Sequence, residues 1–185
     1  MNPRIQVEHT VTEMVTGIDI VQSQILVAEG YELASGEIGI PRQDAIQVTG
    51  HAIQCRITTE DPANDFMPDT GTIESYRSPG GFGIRLDGGN GFQGSMITPF
   101  YDSLLLKVTA YSRSFEDTRR KAIRALRETE IKGVKTNIAF MLNVLNHPTF
   151  AAGDCDTGFI ANTPDLLDIA KVEDNELRVI EFLGN

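Results

Sequence analysis

Four polar side chains recur at every second position near the start of this 185-residue sequence: Asn2, Arg4, Gln6 and Glu8, with Pro3, Ile5 and Val7 between them. In an extended strand, residues two apart share a face, so an amide, a guanidinium, a second amide and a carboxylate would stand in one row over an apolar back. Those types suit a small planar oxyanion such as bicarbonate. A guanidinium grips such a group through two parallel hydrogen bonds, and a carboxylate within reach can take its proton. The Asn2 oxygen is also a hard ligand suited to magnesium. The same alternation equally describes a half-buried strand with a solvated polar face. Pattern alone leaves both open.

A second cation sits in GHAIQCRITTEDP, Gly50–Pro62, which reads as a strand ending at a proline turn. Alternation puts His51, Ile53, Cys55 and Ile57 on one face, and Ala52, Gln54, Arg56 and Thr58 on the other. Arg56 is then either a solvated strand residue or a cation fixed beside a site. Arg85 closes SPGGFGIR, whose Gly80, Gly81 and Gly83 suggest turns or close backbone approach. The stretch lacks the Gly-Lys-Ser/Thr ending of a phosphate loop and the strand-to-helix context of a dinucleotide fingerprint, so Arg85 is taken as support for the turn. His9 would point away from Glu8 on an extended strand and reads as structural. His51 and His147 form no metal-ligand spacing with each other or with the cysteines. Phe100 and Tyr101, next to the apolar run that follows Asp102, read as core packing.

The elements that must position these residues follow from periodicity. Val11, Met14, Val15, Ile18, Val21, Ile25 and Leu26 recur at helical spacing, predicting one helix from Thr10 to Gly30, with Thr10 and Glu13 as a capping box and Gly30 as the C-terminal cap. Gly17 inside it costs about 1 kcal/mol relative to Ala. Strands are expected at Ile46–Thr59, Thr72–Tyr76, Phe82–Leu86 and Leu104–Tyr111. Ser114 and Asp117 start a helix reaching Glu128, with Phe115, Ala122, Ile123 and Leu126 inward and Arg119, Arg120, Lys121, Arg124 and Arg127 wet. A third helix covers Thr136–Leu145, and a short one Asp165–Lys171. The fold class is α+β, a small mostly antiparallel sheet with flanking helices.

Composition narrows the function classes. With 41% hydrophobic and 23% charged residues, the chain can bury a real core. A net charge of −10 argues against general nucleic-acid binding, which needs a basic footprint. No apolar run or signal-like N-terminus points to a membrane or to export, which makes a cytoplasmic location the expectation. Cys55 and Cys155, far apart and outside any metal spacing, read as free thiols.

The run MNPRIQVEHTVTEMVTG, Met1–Gly17, resembles the motif that closes the ATP-grasp region of biotin carboxylases, and Gly50–Pro62 resembles a second motif of that family. The resemblance implies that Arg4 binds bicarbonate and that Glu8 is the base that deprotonates it for attack on the γ-phosphate of ATP. It implies that Gln6 and Val7 complete the bicarbonate pocket and that Asn2 is a magnesium ligand. Arg56 would stabilise the enolate formed when biotin loses its ring-nitrogen proton, and would touch bicarbonate; no catalytic role is carried onto Arg85. NPR at Asn2–Arg4, HTVTE at His9–Glu13, the stretches Gly88–Val108 and Lys135–Phe150, and the ending ELRVIEFLGN are similar to the pyruvate carboxylase type. Acetyl-CoA and propionyl-CoA carboxylases, which usually carry Thr in NTR and Pro in HPVTE, are the alternative, as is a mainly dimer-forming role.

The expected organisation is residues 1–35 as the end of an ATP-grasp region with its last strand and helix, 36–162 as a biotin carboxylase C-terminal domain, and 163–185 as a linker. Implied cofactors are biotin, ATP and magnesium or manganese. Implied partners are bicarbonate, biotin on a carrier domain, the remainder of the same polypeptide and a second copy in a homo-oligomer. The family's other ATP-holding residues and a further magnesium-ligand Glu would precede Met1, so the chain alone is expected to be inactive.

Overall fold

The computed structural model describes residues 2–40, 42–89 and 91–169. In chain order its elements are α1 His9–Thr16, α2 Ile20–Ala28, β1 His51–Thr58, β2 Glu60–Asp61, β3 Met67–Pro68, β4 Gly71–Thr72, β5 Ser75–Arg77, β6 Ile84–Gly88, β7 Met96–Ile97, β8 Leu104–Ser112, α3 Phe115–Glu128, β9 Glu130–Lys132, α4 Ile138–Asn146 and α5 Pro148–Ala152. The central sheet has strand order β1-β8-β6, antiparallel throughout, and three two-stranded pairs (β2-β3, β4-β7, β5-β9) surround it. This is the expected α+β class.

The sheet is sandwiched between unlike layers. On one face α3 lays Ala122, Ile123, Ala125 and Leu126 against Cys55, Ile57, Leu106, Val108 and Ala110, all buried. Its start is the expected one: the Ser114 hydroxyl accepts from Asp117 N at 3.1 Å. The opposite face carries polar residues and is crossed by α1. Strand alternation produces the division, because Cys55 and Ile57 point one way while Gln54 and Arg56 point the other. Among the basic residues expected to stay wet, Arg119 does not: its side chain is 15% exposed, holds Glu116 in a fork and donates to Leu145 O at 2.9 Å. It thereby ties α3 to α4.

The single helix expected from Thr10 to Gly30 is two. Gly17, at φ 71°, closes α1 in the left-handed conformation, and Asp19 then caps α2 by accepting from Gln22 N at 2.7 Å. Gly133 meets a tighter demand: at φ 95°, a Cβ there would lie 2.1 Å from Thr72 O, where β9 passes the β4–β5 corner. Phe100 and Tyr101 are 84% and 79% exposed rather than core. β8 begins only at Leu104, after a turn in which Asp102 accepts from Leu104 N, and this leaves the aromatic pair outside. In place of the helix expected over Asp165–Lys171, Pro164–Leu167 form a 3-10 turn and Asp168 and Ile169 are not helical; residues 170 and 171 lie outside the described residues. Among the described residues no helix is long and apolar enough to cross a membrane.

The two thiols differ in kind. Cys55 is core, and burial pushes its pKa up to about 12, whereas Cys155 is exposed and is raised by partial desolvation and then by its neighbours Asp154 and Asp156. Only the thiolate attacks a disulfide reagent. At pH 8 the native chain should therefore react slowly at one thiol, faster as pH rises, and at a second only on unfolding; Cys155→Ser should abolish the native phase.

Candidate active site

Glu8 occupies the N-cap position of α1 at φ −76° and ψ 0°, but its side chain makes no cap bond. It reaches instead to β1, where Glu8 Oε2 lies 3.4 Å from Arg56 Nη2. The two side chains are 61% and 50% exposed, so the pair contributes little to stability. An open carboxylate facing an open guanidinium can bind an oxyanion and take its proton, because both keep free hydrogen-bonding positions.

Each partner is held by its backbone. Arg56 lies directly opposite Lys107 on β8. On the outer edge of β1, Asn137 accepts from Thr58 N at 3.0 Å and donates to Arg56 O at 3.0 Å, the two bonds a neighbouring strand would have made. Glu8 is fixed from below. Gln54, two residues from Arg56 on the same face, donates to Val7 O at 2.9 Å and to the Thr10 hydroxyl, and Thr10 in turn meets Thr109 at 2.9 Å.

Further along the same face, charge runs back to α1. Arg85 holds Asp87 in a fork at 3.0 and 2.9 Å and reaches Glu13 Oε2 at 2.5 Å, while Glu13 also accepts from Ile20 N at 2.8 Å. The Asp87 hydrogen bond is the chief reason the guanidinium's pKa is raised above its ordinary value. Lys107 stands 4.0 Å from Asp87. Arg85 is thus neither a turn support nor part of the Glu8–Arg56 pair. It moors the helix that carries Glu8.

The segment Asn2–Glu8 is not the strand its alternation predicts. Strand conformation needs a ladder partner, and this segment turns on itself instead: Arg4 N donates to Asn2 O at 2.8 Å and His9 N to Gln6 O at 3.2 Å. The row of four polar groups is therefore broken up. Arg4 donates to Ile5 O at 3.2 Å and forms no ion pair among the described residues, and Gln6 folds back towards the carbonyls of Asn2 and Arg4 at 3.4 and 3.5 Å. Val7 is half-buried and contributes its carbonyl to Gln54. His9 is structural, as expected, though for another reason: it lies in α1, with Nδ1 2.7 Å from Gln6 O.

Beside Arg56 opens a cleft of about 480 Å³, with Glu8 and Arg56 at its polar end and Val11, Ile53, Phe140 and Met141 among its walls. With Arg56 half exposed, those apolar walls would lower the local dielectric and strengthen the guanidinium's hold on an oxyanion once a ligand displaces water from the cleft. Among the described residues no group of three or more His, Cys, Asp or Glu comes together to hold a metal ion. The chain's own offer to magnesium is the exposed amide of Asn2, one hard oxygen that fits a coordination sphere supplied mostly by others.

Gln54, Asn137, Lys107 and the Glu13–Arg85–Asp87 group were not singled out from the sequence as parts of one site. The alternation of β1 gave a signal for Gln54, since it shares Arg56's face. Nothing local marks Asn137 or the meeting of Arg85 with Glu13, because those contacts bridge 72 to 81 residues, whereas Arg85 and Asp87 are two residues apart on one strand.

The biotin carboxylase C-terminal domain model matches residues 54–162, and the carbamoyl-phosphate synthase L chain ATP-binding domain model matches residues 1–36. Pyruvate carboxylases of Staphylococcus aureus and Bacillus subtilis are 58% and 55% identical over all 185 residues, and the chain spans 16% of the length of each. Among solved structures, a complete multifunctional pyruvate carboxylase from Rhizobium etli superposes with a TM-score of 0.92 at 48% identity, over 99% of this chain and 17% of that one. The biotin carboxylase domain dimer of Hydrogenobacter thermophilus 2-oxoglutarate carboxylase, solved with MgADP, ADP and bicarbonate, gives 0.86 at 42% identity, over 92% of this chain and 36% of that one.

Proposed function

Because the chain belongs to the biotin carboxylase C-terminal domain family, we propose that it is the base-carrying part of the biotin carboxylase unit of a pyruvate carboxylase. In that enzyme ATP and bicarbonate carboxylate biotin, and the carbon passes on to pyruvate to give oxaloacetate. The Glu8–Arg56 pair carries the assignment: it brings a base and a cation from sequence regions 48 residues apart to 3.4 Å, at the mouth of an apolar cleft. Arg56 binds the bicarbonate oxyanion and Glu8 accepts its proton. Arg4, exposed and without an ion-pair partner among the described residues, is free to swing onto the same anion, with Gln6 and Val7 beside it. Asn2 contributes one oxygen to magnesium. Biotin, when bound, would supply the nitrogen that accepts the carboxyl group, and Arg56 would stabilise the enolate formed when that nitrogen loses its proton.

The relative solved with bicarbonate and MgADP supports this choice of ligands. Its dimeric state supports a homo-oligomer, with the remainder of the polypeptide and a biotin carrier as further partners. We divide the chain at 1–35, 36–162 and 163–185, and infer a reducing, cytoplasmic setting from its two free thiols. The test is acceptor choice. The full-length polypeptide, given ATP, magnesium and labelled bicarbonate, should fix label into a product only when pyruvate is supplied; label entering acetyl-CoA or propionyl-CoA would overturn the pyruvate assignment.

A further inference from the structure

Gln54 faces away from the core layer, on the same side of β1 as Arg56, and its side-chain amide has two hydrogens. Both are used on the segment that carries Glu8: one on Val7 O at 2.9 Å, the other on the Thr10 hydroxyl. Thr10 is fully buried, and the oxygen within reach of its own proton is that of Thr109, 2.9 Å away and also fully buried. The three side chains are therefore linked in one run, Gln54 to Thr10 to Thr109, whichever of the two hydroxyls donates in the second bond. Thr109 is also the residue directly opposite Gln54 across the β1–β8 ladder.

Glu8 lies between the two points so pinned, Val7 before it and Thr10 after it. Its carbonyl accepts from Val11 N at 3.0 Å, but among the described residues its carboxylate has no hydrogen-bond partner besides Arg56, 3.4 Å away. We propose that Gln54, with Thr10 and Thr109, is the positioning unit that sets the Glu8 carboxylate against Arg56. One strand then dictates both halves of the pair, the cation through its own side chain and the base through a hydrogen-bonded clamp on the turn leading into α1. A base works only when held within hydrogen-bond reach of its proton, so a shift of about 1 Å in that turn can cost on the order of 100-fold in rate. Gln54 touches no reacting atom; it acts through Glu8.

This rests on Glu8 being the base, as proposed above, and the experiment separates the two ideas. In the full-length enzyme, bicarbonate-dependent ATP cleavage is measured for Gln54→Leu, Thr109→Val, Thr109→Ser and Glu8→Gln, with kcat and the KM for ATP and for bicarbonate taken separately over a range of pH. Gln54→Leu keeps a branched side chain of similar bulk, one bond shorter, and removes both donors. It should lower kcat by about 10- to 100-fold while leaving the KM for ATP within two-fold, since a misplaced base slows proton transfer without disturbing the nucleotide. Thr109→Val should lower kcat in the same sense, and Thr109→Ser, which restores the hydroxyl, should recover it. Should Gln54→Leu fail to fold, the Thr109 pair decides alone, because valine matches threonine in volume. Normal kcat in a folded Gln54→Leu enzyme, or in Thr109→Val, beside an inactive Glu8→Gln enzyme, would overturn the clamp and leave the base assignment standing. An active Glu8→Gln enzyme would remove the base itself. A loss shared equally by kcat and the KM for ATP, unrelieved in Thr109→Ser, would mean a merely structural role and would also overturn the proposal.

Discussion

In the full-length enzyme, Arg56→Ala is expected to lower bicarbonate-dependent ATP cleavage by about 10²- to 10³-fold, the usual loss when one preorganised donor to a developing oxyanion is removed. The protein should lose almost no stability. The Arg56 side chain is half exposed, its contact with Glu8 is an open one, and the strand beneath it is held by β8 and Asn137 rather than by the guanidinium. Such surface replacements stay within about 0.5 kcal/mol. Arg56→Lys should recover only part of the rate, since it keeps the charge and loses the planar fork. The check is kcat beside the thermal midpoint of each variant. An Arg56→Ala enzyme that turns over normally would make the residue a solvated strand position, and an inactive one with a collapsed midpoint would make it structural.

Arg85→Ala should behave in the opposite way, through stability first. Glu13 is 8% exposed, and with Arg85 gone its carboxylate would stay buried with the Ile20 N–H and, 3.8 Å away, His9 Nε2 as its remaining partners. Removing one member of a buried pair costs about 3–5 kcal/mol. For a chain of this size that is a fall in Tm of roughly 6 to 20 °C. Adding Glu13→Leu to Arg85→Ala should restore much of the loss, because the stranded charge disappears. A double-mutant cycle by thermal or urea unfolding measures the coupling, and a value near zero would show that α1 is moored by Thr10 and Gln54 alone.

Local chemistry made much of the scaffold legible. Ser114 and Asp117 announced α3 at the residue where it begins, and the alternation from His51 to Thr58 assigned the two faces of β1 correctly. Where the sequence misled, two patterns overlapped. The apolar stripe from Val11 to Leu26 runs straight across the break between α1 and α2, hiding the Gly17 stop and the Asp19 start that the structure uses. The alternation from Asn2 to Glu8 is a sound strand pattern without a ladder partner in the described chain, so its backbone bonds close locally. Glu8 and Arg56 were identified as site residues by resemblance, since neither one's surroundings distinguish it from any exposed charge. Their meeting, like that of Glu13 with Arg85, depends on strand register and helix placement, which no short window contains.

Asn137 has a consequence for the molecule in solution. β1 is an edge strand, and an uncovered edge is a template on which another chain can grow as an added strand. One side-chain amide already occupies the Arg56 carbonyl and the Thr58 amide on that edge, and the residue supplying it is the N-cap of α4, so helix and stopper arrive together. The strand that carries Arg56 thus has two of its outward pairing positions closed to an added strand by a single asparagine.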